Sequence, residues 1–126
     1  MKAMIYDGNA LYQVDTELDS YEFLKETVDG YIEHVTLDSL DTHHIDLWCN
    51  EEGKLIGLEP TAILYYKGKA YDYLSGNIVF TGHDGEGGTI SLTDEQIDII
   101  TNKFETDGCA VLSGVALQKL NFEVIY

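Results

Sequence analysis

The sequence predicts an α+β protein, a single domain over residues 1–126 with a mainly antiparallel β-sheet and two short helices packed on one face. Three observations predict it. Short apolar runs with strand character recur along the chain between clusters of turn residues. Only two stretches, 20–29 and 94–105, combine helical spacing with capping signals. The length of 126 residues suits one domain, with residues 106–126 part of the same fold.

Residues 2–6 (KAMIY) read as a strand, DGN as a turn, and residues 10–16 as the returning strand of a hairpin. The helix over 20–29 can be capped by Asp19 or Ser20, and Asp19 with Glu22 has capping-box spacing. Tyr21, Leu24 and Val28 form its apolar stripe, Glu22, Glu26 and Asp29 the opposite acidic one, and Gly30 ends it. Segments 31–37, 44–49 and 54–58 read as an antiparallel meander, with DSLDTH a polar loop and NEEG a hairpin turn. Pro60 suits the start of a short helical turn.

YYKGKAYDYL reads as two extended pieces around KGK, SGNIVFTGH (75–83) as a strand, and DGEGG (84–88) as a loop. Thr93 and Gln96 form a capping box for the helix over 94–105. Its Ile97, Ile100 and Phe104 face inward, while Asp94, Glu95, Asp98 and Glu105 face out. CAVLSGVALQ fits strand or helix, and LNFEVIY a final strand.

Charge narrows the function. The chain carries 23 acidic and 7 basic residues, all seven of them Lys, for a net charge of −16. Such a surface repels phosphate backbones and anionic membranes, so neither direct nucleic-acid binding nor membrane association is expected. No apolar stretch approaches a transmembrane length, and the N-terminus has no signal-peptide core. A cytoplasmic location follows as the expectation.

Motif chemistry is sparse. No P-loop, nucleophile elbow or dinucleotide turn occurs, so no catalytic residue and no cofactor is expected, and the reading is non-enzymatic. Cys49 and Cys109 have neither disulfide-framework nor zinc spacing and read as buried thiols. His43 and His44 point to opposite faces of a strand. His34, Asp46 and Glu33 can approach one another across neighbouring strands, but no spacing enforces a ligand set, so no metal site is expected. Tyr65, Tyr66, Tyr71 and Tyr73 cluster around KGK, as cover for the sheet or as an aromatic interface. Trp48 alternates against Ile45, Leu47 and Cys49 and suits packing under a helix.

Four phrases stand together: VDGYIEHV (28–35), CNEEGKLIGLEP (49–60), SGNIVFTG (75–82) and SLTDEQIDIITNKF (91–104). In this order they resemble a domain family of unknown function found in phages and other mobile elements, over about residues 20–105. The resemblance implies a mobile-element origin and carries over no catalytic residue. With the charge, it points to an acidic interaction protein that inhibits a basic host protein, a nuclease or other defence factor, by presenting a DNA-like negative surface. Glu22, Glu26, Asp29, Glu51, Glu52, Asp94, Glu95 and Asp98 are the expected contact residues. The alternatives are a module that sequesters a small ligand or signalling nucleotide, and an oligomeric structural accessory, for instance a homodimer.

Overall fold

The computed structural model describes the backbone at residues 1–66, 69–107, 109–112 and 115–120. Side chains are described at these positions except 38, 39, 65, 66, 69–71 and those from 103 onward. The strands are β1 (Lys2–Tyr6), β2 (Leu11–Asp15), β3 (Ile32–Val35), β4 (Ile45–Asn50), β5 (Pro60–Tyr66), β6 (Lys69–Ser75), β7 (Ile78–His83), β8 (Thr89–Ile90), β9 (Cys109–Leu112) and β10 (Val115–Leu120). The helices are α1 (Ser20–Val28), α2 (Asp38–Asp41) and α3 (Asp94–Asp107).

Alternation in β1 shows how the layers are built. Ala3 and Ile5 join one apolar cluster, Met4 and Tyr6 the other, and all four are buried, so this strand is covered on both faces. It sits in a six-stranded sheet of order β2-β1-β7-β4-β3, with β8 appended to β7 and every pair antiparallel. Phe23, Leu24 and Val28 of α1 cover the Ala3–Ile5–Val79 face. On the other face Met4, Leu47, Ile78 and Phe80 pack with Ala62, Leu64 and Leu74 of a second sheet and with Ile100 of α3. The second sheet has the order β6-β5-β10-β9, and its β5–β10 pair is parallel. Among the described residues, no helix is long and apolar enough to cross a membrane.

The α+β class and the mainly antiparallel pairing are as the sequence predicts. The helices differ in placement: α1 and α3 lie on opposite faces of the first sheet, because both faces of its central strands are apolar. The inward stripe of α1 is Phe23, Leu24 and Val28, and Tyr21 points outward. Asp19 is the N-cap, its carboxylate accepting from the Glu22 N–H. Asp29, at φ 58°, takes the left-handed C-cap expected of Gly30.

DSLDTH is no plain loop, since Leu40 is buried in the core and draws 38–41 into one helical turn. The strand expected at 54–58 is absent, and β7 takes the expected third place beside β4. Instead the 51–57 segment coils back on itself, with Ile56 N–H donating to Glu52 O (3.0 Å) and Leu58 N–H to Gly53 O (2.9 Å). Gly57 makes this reversal at φ 78°, a conformation glycine adopts without strain. Pro60 opens a strand rather than a helical turn, at the one strand position where a missing N–H costs no interior ladder bond. CAVLSGVALQ resolves as strands β9 and β10, while most of LNFEVIY lies outside the described residues.

Candidate functional site

All eight acids singled out in the sequence are exposed. They divide into two groups on opposite sides of the first sheet. Asp94, Glu95 and Asp98 belong to α3, where Lys2 Nζ stands 3.6 Å from Asp94 Oδ1. Glu22, Glu26 and Asp29 rim a shallow depression on α1 with Lys25 and Gly30.

Glu51 and Glu52 join the α1 group through Asn50. This buried side chain donates from Nδ2 to the carbonyls of Val28 (3.0 Å) and Asp29 (3.2 Å), and its Oδ1 accepts from the Glu52 N–H (2.8 Å). One amide thus satisfies free carbonyls at the end of α1 and fixes the turn that follows β4. The Glu51 N–H donates to the Tyr31 carbonyl (2.8 Å), which brings Tyr31 alongside.

The coiled 51–57 segment sets two aliphatic side chains in water. Leu55 is 88% exposed and Ile56 56%, and nearby Tyr31 is 64% exposed. Beneath the turn lies a cleft of about 360 Å³, lined among others by Glu33, Cys49, Lys54, Asp72, Tyr73 and Ser75. Lys54 Nζ pairs with the Asp72 carboxylate and lies 4.6 Å from the centre of the Tyr73 ring. Burial, reinforced by the Glu33 charge, pushes the Cys49 thiol up to about 12. Among the described residues, Ser75 Oγ is buried without a hydrogen-bond partner. Of the tyrosine cluster only Tyr73 has a described side chain, and it is half-buried against Lys54; Tyr65, Tyr66 and Tyr71 lie outside the described side chains. Tyr31, read in the sequence only as part of a strand, is the aromatic at the acidic rim.

A second cleft, of about 330 Å³, opens on the face that α1 covers further along. His34 is paired with Trp48 across β3–β4, and Asp46 with Thr81 across β4–β7, so these four share that face with His83. Asp46, only 9% exposed, receives both imidazoles on one oxygen: His34 Nε2 at 3.0 Å and His83 Nδ1 at 2.8 Å. His83 Nε2 lies 3.8 Å from Asp41 Oδ1. Trp48 anchors the arrangement, its ring centre 4.9 Å from that of His34 and its Nε1 donating to Thr81 Oγ1 (2.9 Å).

The approach of His34 to Asp46 is the one the strand alternation allows. Glu33, weighed with them, points to the opposite face, where its carboxylate lies 3.9 Å from Cys49 Sγ. His83 and Asp41 complete the cluster from β7 and the end of α2, and nothing in their local sequence marks them. The phrases YIE and NEEGKL, which carry the family resemblance, meet at the first cleft through Glu33, Asn50, Glu51, Gly53, Lys54 and Leu55.

No curated protein and no solved structure matches the chain. A family model does match, over residues 1–105, reaching further toward the N-terminus than the 20–105 of the motif resemblance. The chain therefore belongs to DUF3846, a domain family of unknown function.

Proposed function

We propose that this protein is a non-enzymatic acidic binding protein that engages a cationic protein through α1 and the 51–57 turn. The observation that carries the reading is the exposure of Leu55 and Ile56 within the same turn as Glu51 and Glu52. Two aliphatic side chains held in water gain by burial at a partner surface, at roughly 25 cal/mol per Å² covered. Carboxylates around them select a partner with Lys or Arg at the rim of an apolar spot and steer its approach. In this reading the carboxylates of Glu22, Glu26, Asp29, Glu51 and Glu52 take the part that phosphates play in a nucleic acid. The mobile-element resemblance suggests a host nuclease or other nucleic-acid-processing defence factor, met in the host cytoplasm. Asp94, Glu95 and Asp98, on the other side of the sheet, are not part of this surface.

The test is competition. Proteins captured on the immobilised chain at about 50 mM salt are expected to be displaced by duplex DNA and to be released steeply toward about 300 mM. Combining Glu22→Gln, Glu26→Gln, Asp29→Asn, Glu51→Gln and Glu52→Gln abolishes capture. The α3 set Asp94→Asn, Glu95→Gln and Asp98→Asn leaves it intact, and Leu55→Ser with Ile56→Ser weakens it without lowering Tm. Capture that ignores both DNA and the five-residue variant overturns the proposal. So does a large thermal stabilisation by one nucleotide in the absence of any captured protein, which favours the ligand-sequestering alternative.

A further inference from the structure

The cleft beneath the 51–57 turn has a floor and a charge balance that the exposed acidic rim does not account for. We infer that it receives one arginine side chain of the cationic partner, whose guanidinium meets Glu33 and the Ser75 hydroxyl. The inference rests on the reading above and names the group that enters beneath the turn.

Three observations carry it. The first is an orphaned hydroxyl. Ser75 is more than nine-tenths buried, and among the described residues its Oγ has no hydrogen-bond partner. Tyr73 and Ser75 stand two apart on β6, so they show the same face, and both line the cleft. Ser75 Cβ lies 3.5 Å from where a Cβ on Gly53 would stand, so the side chain is aimed at the turn. A buried hydroxyl left unpaired is costly, and a donor entering the cleft completes it.

The second is unbalanced charge. Three carboxylates line the cleft, those of Glu33, Glu51 and Asp72, against the single ammonium of Lys54. Lys54 is taken up by Asp72, and among the described residues no ion pair engages Glu33 or Glu51. The Glu33 carboxylate reaches to 3.9 Å from Sγ of the buried Cys49. A carboxylate over a buried floor attracts a cation more strongly than one in open water, because the local dielectric is lower. The third is the molecule's own cation. Lys54 Nζ sits 4.6 Å from the centre of the Tyr73 ring while pairing with Asp72, so one wall already holds an ammonium as a site holds a cationic ligand.

The acceptors left over are Glu33, Glu51 and the Ser75 hydroxyl, on different parts of the lining. A guanidinium presents five N–H donors in a planar fork and is more weakly hydrated than an ammonium, so it serves separated acceptors and leaves water at lower cost. The cleft volume of about 360 Å³ has room for one such side chain. Leu55, 88% exposed, also lines it, so the cleft is continuous with the apolar spot that the partner covers. That continuity favours a side chain of the partner over a free guanidino compound.

The probe is N-acetyl-arginine amide, titrated into the ¹⁵N-labelled full chain at about 150 mM salt, where attraction to exposed acids is screened. Saturable amide shifts are expected at Gly53, Lys54 and Ser75. N-acetyl-citrulline amide, of the same shape without the charge, is expected to produce none, and N-acetyl-lysine amide to bind more weakly. Glu33→Gln weakens binding about tenfold and Ser75→Ala about fivefold. Ser75→Ala leaves Tm unchanged or raised, because it removes a hydroxyl that the free fold leaves unpaired. A lowered Tm overturns the site, since the hydroxyl then already has a partner. Shifts that never saturate, citrulline or lysine analogues that bind as tightly, or indifference to Glu33→Gln also overturn it. In the capture assay, Glu33→Gln with Ser75→Ala is expected to lower retention of the bound protein at least about fivefold. Unchanged retention overturns the cleft assignment and leaves the acidic-surface reading standing. Saturable arginine-amide binding with no captured protein removes that reading, and with it the partner as the source of the guanidinium.

Discussion

At Cys49 two effects act in one direction. Burial disfavours the thiolate, and the Glu33 carboxylate 3.9 Å away disfavours it again. The thiol in the fold ionises at about 12, against an ordinary value of 9.0. The neutral form therefore dominates through the physiological range, and Cys49 is expected to resist iodoacetamide at about pH 8 in the native protein and to react in urea, as peptide mapping by mass spectrometry reads. The linkage has a definite sign. Below 9.0 the thiol is protonated in both states and contributes no pH dependence. Between 9.0 and about 12 the unfolded chain loses the proton and the folded one keeps it, so stability falls as pH rises. Native labelling at the unfolded rate would show that Cys49 is open to solvent. The inward position of Cys49 was legible, because Ile45, Leu47 and Cys49 alternate on one face. The partners of Asp46 were legible only in part. His34 lies one strand away through a short connection, whereas His83 reaches Asp46 across 37 residues of chain, in a register no local pattern encodes.

Among elements, Asn50 has the largest consequence, since it fastens the end of α1 to the turn that displays Leu55. Asn50→Ala leaves two carbonyls and one N–H short of a partner and is expected to cost about 1–3 kcal/mol in urea denaturation. Asn50→Asp is expected to cost more, because it sets a carboxylate oxygen against the Val28 and Asp29 carbonyls. A neutral outcome for Asn50→Asp would mean that α1 and the turn are held together by something else. The helix opened by Thr93 and Gln96 was readable because its signals are local: the Thr93 N–H donates to Gln96 Oε1 and the Gln96 N–H to Thr93 Oγ1. The second task of Gln96, donating from Nε2 to the carbonyls of His43 and His44, depends on a partner some fifty residues earlier and leaves no local trace. KLIGL misleads for a related reason. Its apolar run after a polar turn suits a strand, but a Cβ at Gly53 would come 2.9 Å from the Ser75 carbonyl, and that close approach belongs to a coil packed on β6.

For the whole molecule the governing quantity is the charge of −16. Like charges spread over a small fold oppose compaction, and salt screens them. Tm is therefore expected to rise from about 10 to about 300 mM monovalent salt in differential scanning calorimetry. Partner capture is expected to weaken over the same range, so fold and function respond to salt in opposite directions. A flat or falling Tm would show that repulsion does not limit stability. Charge and fold class were legible from composition and periodicity. That the acids occupy two opposed sides was not, because it depends on which face of the sheet each helix covers. The second sheet carries a consequence for biosynthesis. Ala62, Ile63 and Leu64 of β5 find their parallel neighbours in Gln118, Lys119 and Leu120. Until residues 118–120 have left the ribosome, the β5 edge has no neighbour on that side, and the nascent chain carries a sticky border open to other chains.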